Sequence, residues 1–206
     1  MPFTSSGTSA FTLVELLVVM AIIGILAAVM LPVLAAVRGT ARQSQCMQTM
    51  RSAGQGFLLH ANDNRDALPP AYDSVTRYSW DHSISKYLAA ERFIFVCPMD
   101  APAKTHANPQ APRSYSMNGG NDSTQGVAGR DWSLKLVQIP APNKTLLLLE
   151  WHSVNNKGWN DSCAKLFNDA SVTRTHSGKA NYLFCDGHVE ARRDAPSELY
   201  LSSNDR

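Results

Sequence analysis

The segment Phe11 to Val37, FTLVELLVVMAIIGILAAVMLPVLAAV, constrains this chain more than any other, because between Leu16 and Val37 it carries no charged or strongly polar side chain. At about 1.5 Å rise per residue, a helix of that stretch crosses the roughly 30 Å hydrocarbon core of a bilayer. The chain is therefore expected to be tied to a membrane at some stage. One carboxylate, Glu15, stands near the start of the run. A charge in a membrane helix costs up to about 2.5 to 3.5 kcal/mol at the centre and less near an end. Read alone, Glu15 caps the first turn and reaches the headgroups.

The neighbours of Glu15 give it a second reading. Phe11, Thr12, Leu13, Glu15, Leu16 and, further along, Pro32 together resemble the N-terminal cleavage and methylation signal of bacterial type IV prepilins and type II secretion pseudopilins. The resemblance implies a prepilin peptidase that cuts between Ala10 and Phe11 and methylates the new amino group of Phe11. It places Glu15 at the fifth mature position, where its carboxylate pairs with the positive N-terminus of a neighbouring subunit, since a lone buried charge would be uncompensated. The chain departs from the family pattern in having Ala10 where Gly is usual, and in a leader, MPFTSSGTSA, without Lys or Arg. An ordinary secretory signal has a positive n-region and an apolar core of about 7 to 15 residues; the uncharged leader and longer run argue against one. Pro32 removes a backbone donor and weakens an isolated helix, which suits a helix that packs in a bundle.

The rest of the chain reads as one domain. Roughly 168 of the 206 residues follow Arg38, enough for a core of their own. The formal net charge of +2 and the lack of a basic run give no case for nucleic acid. Met47, Met50, Gly54, Phe57, Leu58 and Ala61 recur at helical spacing opposite Arg38, Arg42, Gln45, Gln48, Arg51 and Gln55, so the helix is expected to continue as an amphipathic segment over 38–62. Asn62 to Asn64 and Pro69-Pro70 end it. The apolar runs FIFVC (Phe93 to Cys97), TLLLLEW (Thr145 to Trp151) and NYLFC (Asn181 to Cys185) predict short strands, and Ser79 to Leu88 a short helix. Asp186-Gly187 predicts a hairpin with a type I′ turn. The expected architecture is α+β and pilin-like: leader 1–10, transmembrane and assembly segment 11–37, amphipathic helix 38–62, and a head over 63–206 built on a small antiparallel sheet with long loops.

A second resemblance lies in the head. His176, nine intervening residues, then Asp186 and Gly187 are similar to the prepilin-type processing-associated domain named for its His-x9-Asp-Gly pattern. Cys46 with MQTMRSAGQGF, Asn62 to Pro70, Tyr87-Leu88, Cys97 to Asp100, Ser114 to Asn118 and Pro142 to Glu150 match in order. One reading is structural: Asp186 and Gly187 form the turn, and His176 bonds across to the hairpin and sets its register. The other is a metal site, with Asp186 and His188 on one strand face and His176 beside them. Calcium would instead draw oxygens from Asp161, Asp169, Asn181 and Asp186, as related secretion pseudopilins bind calcium in their heads; otherwise no cofactor is expected.

Cys46, Cys97, Cys163 and Cys185 fall outside the cytoplasm in the orientation that the resemblance implies, where disulfides are permitted and three pairings are open. Cys97 or Cys185 with His176 and Asp186 names the atoms of a thiol nucleophile site. No nucleophile elbow, phosphate loop or zinc-protease helix accompanies them, so catalysis is not expected. The resemblances imply a pilus or pseudopilus subunit of the bacterial inner membrane. Its partners would be other pilin or pseudopilin subunits, the prepilin peptidase, a platform protein and an assembly ATPase. The alternative is an anchored binding module that does not polymerise, with Trp80, Trp132, Trp151 and Trp159 as its surface.

Overall fold

A computed structural model describes residues 12–88, 95–100, 113–119, 126–152, 164–165 and 172–194. The architecture is the expected α+β, pilin-like one: a long apolar N-terminal helix, α1 (Leu13–Asp63), followed by a small sheet-based head. The chain divides into two compact units between Ala41 and Arg42, so the boundary falls inside α1.

In the first unit every large apolar side chain from Leu13 to Val37 is solvent-facing, between 45% and 79% exposed. An 18-residue window of this helix has a mean hydropathy of 2.9, so by length and composition it can cross a membrane. Pro32 lies inside α1, where it leaves the carbonyl of Ala28 without an i+4 donor.

In the second unit the other half of α1 buries Cys46, Met50, Ala53, Gly54, Gly56, Phe57 and Ala61. The predicted apolar face is therefore rotated slightly: Met47 is only half-buried and Leu58 exposed, while the small residues 53, 54 and 56 make the close approach. A Cβ on Gly54 would stand 3.0 Å from Leu183 Cδ1 and 3.6 Å from Gly187 Cα.

That helix face covers a five-stranded sheet, ordered β7-β3-β6-β8-β9. Its strands are β3 (Tyr115–Asn118), β6 (Leu146–Glu150), β7 (Ala164–Lys165), β8 (Ala180–Phe184) and β9 (Val189–Arg192). All neighbours are antiparallel except β7, which runs parallel to β3. Among the described residues the head also has two two-stranded ladders, β1 (Tyr72–Asp73) with β2 (Tyr78–Ser79) and β4 (Ala128–Gly129) with β5 (Trp132–Ser133), the short helix α2 (Trp80–Ser85) and a 3-10 turn at Leu136–Gln138.

The central strands are buried on both faces. In β8 the residues alternate: Leu183 joins the helix-side core, while Ala180, Tyr182 and Phe184 join a second cluster with Trp151 and Val172. In β6 the register shifts between Leu146 and Leu148, and the bulge leaves Leu147 and Leu148 on the helix side with Leu146 and Leu149 opposite. This is how four consecutive leucines fit a strand whose side chains otherwise alternate.

Two expectations are corrected. Phe95 to Cys97 form no strand; Phe93 and Ile94 lie outside the described residues. The Asp186-Gly187 turn is also not type I′. Only Gly187 has a positive φ there, +91°, and Phe184 accepts from the N–H of Gly187 at 3.0 Å while donating to the His188 carbonyl at 3.0 Å. This is a three-residue loop closed by a glycine bulge. The positive-φ pair that marks a type I′ turn occurs instead at Ser177 (+53°) and Gly178 (+78°), bracketed by reciprocal backbone bonds between His176 and Lys179 of 3.2 and 3.0 Å.

Candidate functional site

Two regions bear on function, one in each unit. At the start of α1, Thr12 and Glu15 form a capping box. The Glu15 backbone N–H donates to Thr12 Oγ1 at 3.3 Å, and Glu15 Oε2 accepts from the Thr12 backbone N–H at 2.9 Å and its hydroxyl at 2.8 Å. Each group satisfies a terminal polar atom that the helix itself cannot. In the single chain, the Glu15 carboxylate is thus held by its own helix start and exposed. Ala10 and Phe11, where cleavage and methylation are expected, lie outside the described residues.

The second region is a polar cluster inside the head, on the helix side of the sheet. Glu150 ends β6, opposite Tyr115 of β3. Its carboxylate accepts from the Asn181 backbone N–H at 3.0 Å, from Asn181 Nδ2 at 3.0 Å, and from the ring N–H of His176 Nε2 at 2.8 Å. The side chains of His176 and Glu150 are both fully buried. His176 Nε2 also lies 3.5 Å from Cys97 Sγ, and Cys97 is joined to Cys46 of α1 by a disulfide with a Cα separation of 5.3 Å. The pairing closes a loop of 51 residues and fastens the helix to the segment before β3; on the chain-entropy account such a bridge is worth about 2–4 kcal/mol.

The cluster revises the expected role of His176. In the His-x9-Asp-Gly spacing, the intervening residues are the Ser177-Gly178 turn, Lys179, all of β8, and Cys185. His176 and Asp186 therefore stand at opposite ends of a five-residue strand, roughly 16 Å apart at about 3.3 Å per residue. His176 does not bond to the β8–β9 hairpin and shares no site with Asp186 and His188. It bonds to Glu150, which holds Asn181, and so ties β6 to β8.

Asp186 and His188 pair with each other on the surface. His188 Nδ1 lies 2.6 Å from Asp186 Oδ1, and its backbone N–H donates to the same oxygen at 3.1 Å. The ring stacks on Phe184 at 4.1 Å. Neither residue is in a strand, so the expected shared strand face does not exist, and the pair, with the His188 side chain 43% and the Asp186 side chain 34% exposed, contributes little to stability. Of the expected calcium ligands, Asp161 and Asp169 lie outside the described residues, and Asn181 gives its backbone N–H and Nδ2 to Glu150, while Asp186 pairs with His188 on the surface.

The nucleophile geometry does not form either. Cys97 is in the disulfide, and Cys185 is a free, buried thiol; Cys163 lies outside the described residues. Burial, with a smaller contribution from Asp186, pushes the Cys185 thiol well above its ordinary value of 9.0. Because the folded value is raised, the contribution of Cys185 to stability is complete below pH 9.0 and declines as pH rises beyond it. Cys185 is accordingly expected to resist alkylation by iodoacetamide at pH 8 in the folded chain and to react on denaturation; labelling at equal rates in both states would overturn this burial-based account.

Sequence reasoning missed Glu150. The available signal was a carboxylate at the end of a four-leucine strand, a position that costs energy unless the charge is paired.

Residues 6–31 match the family model of the prokaryotic N-terminal methylation motif. No curated protein and no solved structure matches the chain. The motif carries the prepilin-type signal and points to a membrane-anchored structural subunit of pilin or pseudopilin type rather than to an enzyme.

Proposed function

We propose that this chain is a structural subunit of a type IV pilus or type II secretion pseudopilus. It is held in the bacterial inner membrane as a single-pass protein with its head outside the cytoplasm, cut between Ala10 and Phe11, methylated at Phe11, and assembled through α1. The observation that carries this reading is the coincidence of the methylation motif over 6–31 with a helix whose apolar side chains are exposed on every side. Such a surface needs lipid before assembly and neighbouring helices after it.

In the filament, Glu15 exchanges its own Thr12 donors for the N-terminus of a neighbour, and Pro32 is tolerated because adjacent helices supply what its missing N–H leaves open. Energy for extraction from the bilayer comes from a partner ATPase acting through a platform protein. The anchored binding module is disfavoured as a reading, because Trp80 is fully buried and Trp151 nearly so, and Trp132 is half-buried, while Trp159 lies outside the described residues.

Intact mass and N-terminal sequencing of the membrane-bound protein, made with and without its prepilin peptidase, test the proposal. A start at N-methylated Phe11 that depends on the peptidase is the expected result. A Met1 start under both conditions would overturn it.

A further inference from the structure

Cys46, Cys97, Glu150 and His176 come from four separate places in the chain, yet one ligand atom from each lies within 4.8 Å of all the others, and all four residues are buried. We propose that, when the Cys46–Cys97 disulfide is reduced, these four side chains bind one zinc ion, so that disulfide and metal are alternative ties between α1 and the sheet.

The donor set carries the assignment. Two thiolates, an imidazole and a carboxylate are the ligands of a closed, four-coordinate zinc site, and thiolate softness favours zinc over magnesium or calcium. With zinc–sulfur bonds of about 2.3 Å and zinc–nitrogen or zinc–oxygen bonds of about 2.0–2.1 Å, tetrahedral ligands stand about 3.3–3.8 Å apart. His176 Nε2 already lies 3.5 Å from Cys97 Sγ. The set thus closes on an ion with shifts of about 1 Å, once the two sulfurs part.

The surroundings of the four are those of a metal site as well. The backbone N–H of Met99 donates to Cys97 Sγ at 3.4 Å, a contact that stabilises a thiolate. Asn181 donates twice to Glu150, at 3.0 Å each, which orients the carboxylate from behind in the way outer-shell groups orient ligands. His176 Nδ1, buried and without a hydrogen-bond partner among the described residues, is the nitrogen left to carry the ring proton when Nε2 ligates, and it lacks the acceptor that outer shells usually supply.

The chemistry balances. A dithiol reductant gives two electrons and two protons to the disulfide and becomes a disulfide itself, leaving Cys46 and Cys97 as thiols. Zinc then displaces the two thiol protons to solvent, and the His176 ring proton passes from Nε2 to Nδ1 by way of solvent, so that the neutral ring ligates through the freed Nε2 lone pair. In the reverse direction, a disulfide oxidant takes two electrons from the bound thiolates, the sulfur–sulfur bond forms, the oxidant leaves as a dithiol, and Zn2+ is released. Reducing conditions around the folded head would favour the metal, and oxidising ones the covalent bond.

The test uses the full chain in detergent with Cys163→Ser and Cys185→Ser, so that the only sulfurs able to react are those of the proposed site. Reduced protein is titrated with Co2+ and then with Zn2+, with circular dichroism of the same samples. We expect one Co2+ per chain, a thiolate-to-cobalt charge-transfer band with the intense visible bands of tetrahedral cobalt, loss of both on adding Zn2+, and no bands in the disulfide form. Asn181→Ala is expected to keep the spectrum and weaken affinity by about 10–100-fold, which non-specific capture by an unfolded chain would not show. Absence of the charge-transfer band in the reduced chain, or a band undiminished by Cys46→Ser, would overturn the proposal.

Discussion

Replacing Glu150 by alanine is expected to lower the stability of the disulfide-bonded head by about 3–5 kcal/mol, as breaking a buried charged network does when one partner is removed. The reason lies in how many groups depend on one side chain. The carboxylate accepts from the His176 ring, the Asn181 backbone and the Asn181 amide, and all three residues are buried. Removing it strands three donors in a site with no access to water, at about 1–3 kcal/mol for each donor that finds no new acceptor. It also releases the connection between β6 and β8 at the end where their ladder pairs Leu149 with Tyr182. For a unit of this size about 1 kcal/mol moves Tm by about 2–4 °C, so a fall on the order of 6–20 °C is expected in detergent-solubilised protein followed by circular dichroism. Glu150→Gln keeps one accepting oxygen and is expected to fall between. A shift of under about 2 °C for Glu150→Ala would show that the cluster does not hold the head together.

Much of this fold is legible in the sequence, and the parts that are not share a cause. The expected helix, Phe11 through about Asn62, and the observed one, Leu13–Asp63, agree because apolar continuity and then a 3.6-residue period act locally, and Asn62 to Asn64 stop the helix locally. TLLLLEW contains β6, and NYLFC contains all of β8 but Ala180, because runs that apolar are stable only when covered on both faces. FIFVC failed at Phe95 to Cys97 by the same measure: the Cys97 N–H bonds to the Ser114 hydroxyl at 2.9 Å and its sulfur to α1, so distant partners decide its conformation. Asp186-Gly187 and Ser177-Gly178 carry similar turn chemistry, and strand register alone decided which became type I′.

The candidate site was legible only in fragments. His176 stood out by its spacing, but the spacing itself encodes a turn and a strand, which separate His176 from Asp186 rather than unite them. The partners it has, Glu150, Cys97 and, through the disulfide, Cys46, are 26, 79 and 130 positions away. Such contacts are made by topology. Four cysteines allow three pairings, and the choice of Cys46 with Cys97 depends on where α1 crosses the sheet.

The second large effect is expected at Trp80, where truncation to alanine should cost about 3–5 kcal/mol. Its ring is fully buried, stacks on Phe57 of α1 with centroids 5.5 Å apart, and meets Phe95 edge-on at 5.2 Å. Trp80 therefore joins three elements at once: its own short helix α2, the amphipathic half of α1, and the Phe95 segment that leads to Cys97. Neighbouring small residues cannot refill the space, because Gly56 of α1 already packs within 3.1 Å of Ile84 when a Cβ is placed on it, so the helix has no room to roll inward. Trp80→Phe keeps the stacking on Phe57 and loses only part of the volume, and is expected to retain more than half of the lost stability. The two substitutions should differ in a second way. If the ring couples α2 to α1, Trp80→Ala will raise amide exchange at Ala53 to Ala61 as well as within α2, whereas a loss confined to α2 would mean that Phe57 holds its place without it. That outcome would place the hold of α1 on the head in the rest of its buried face, Met50, Ala53 and Gly54 against the sheet, together with the Cys46–Cys97 bridge, rather than in the aromatic pair.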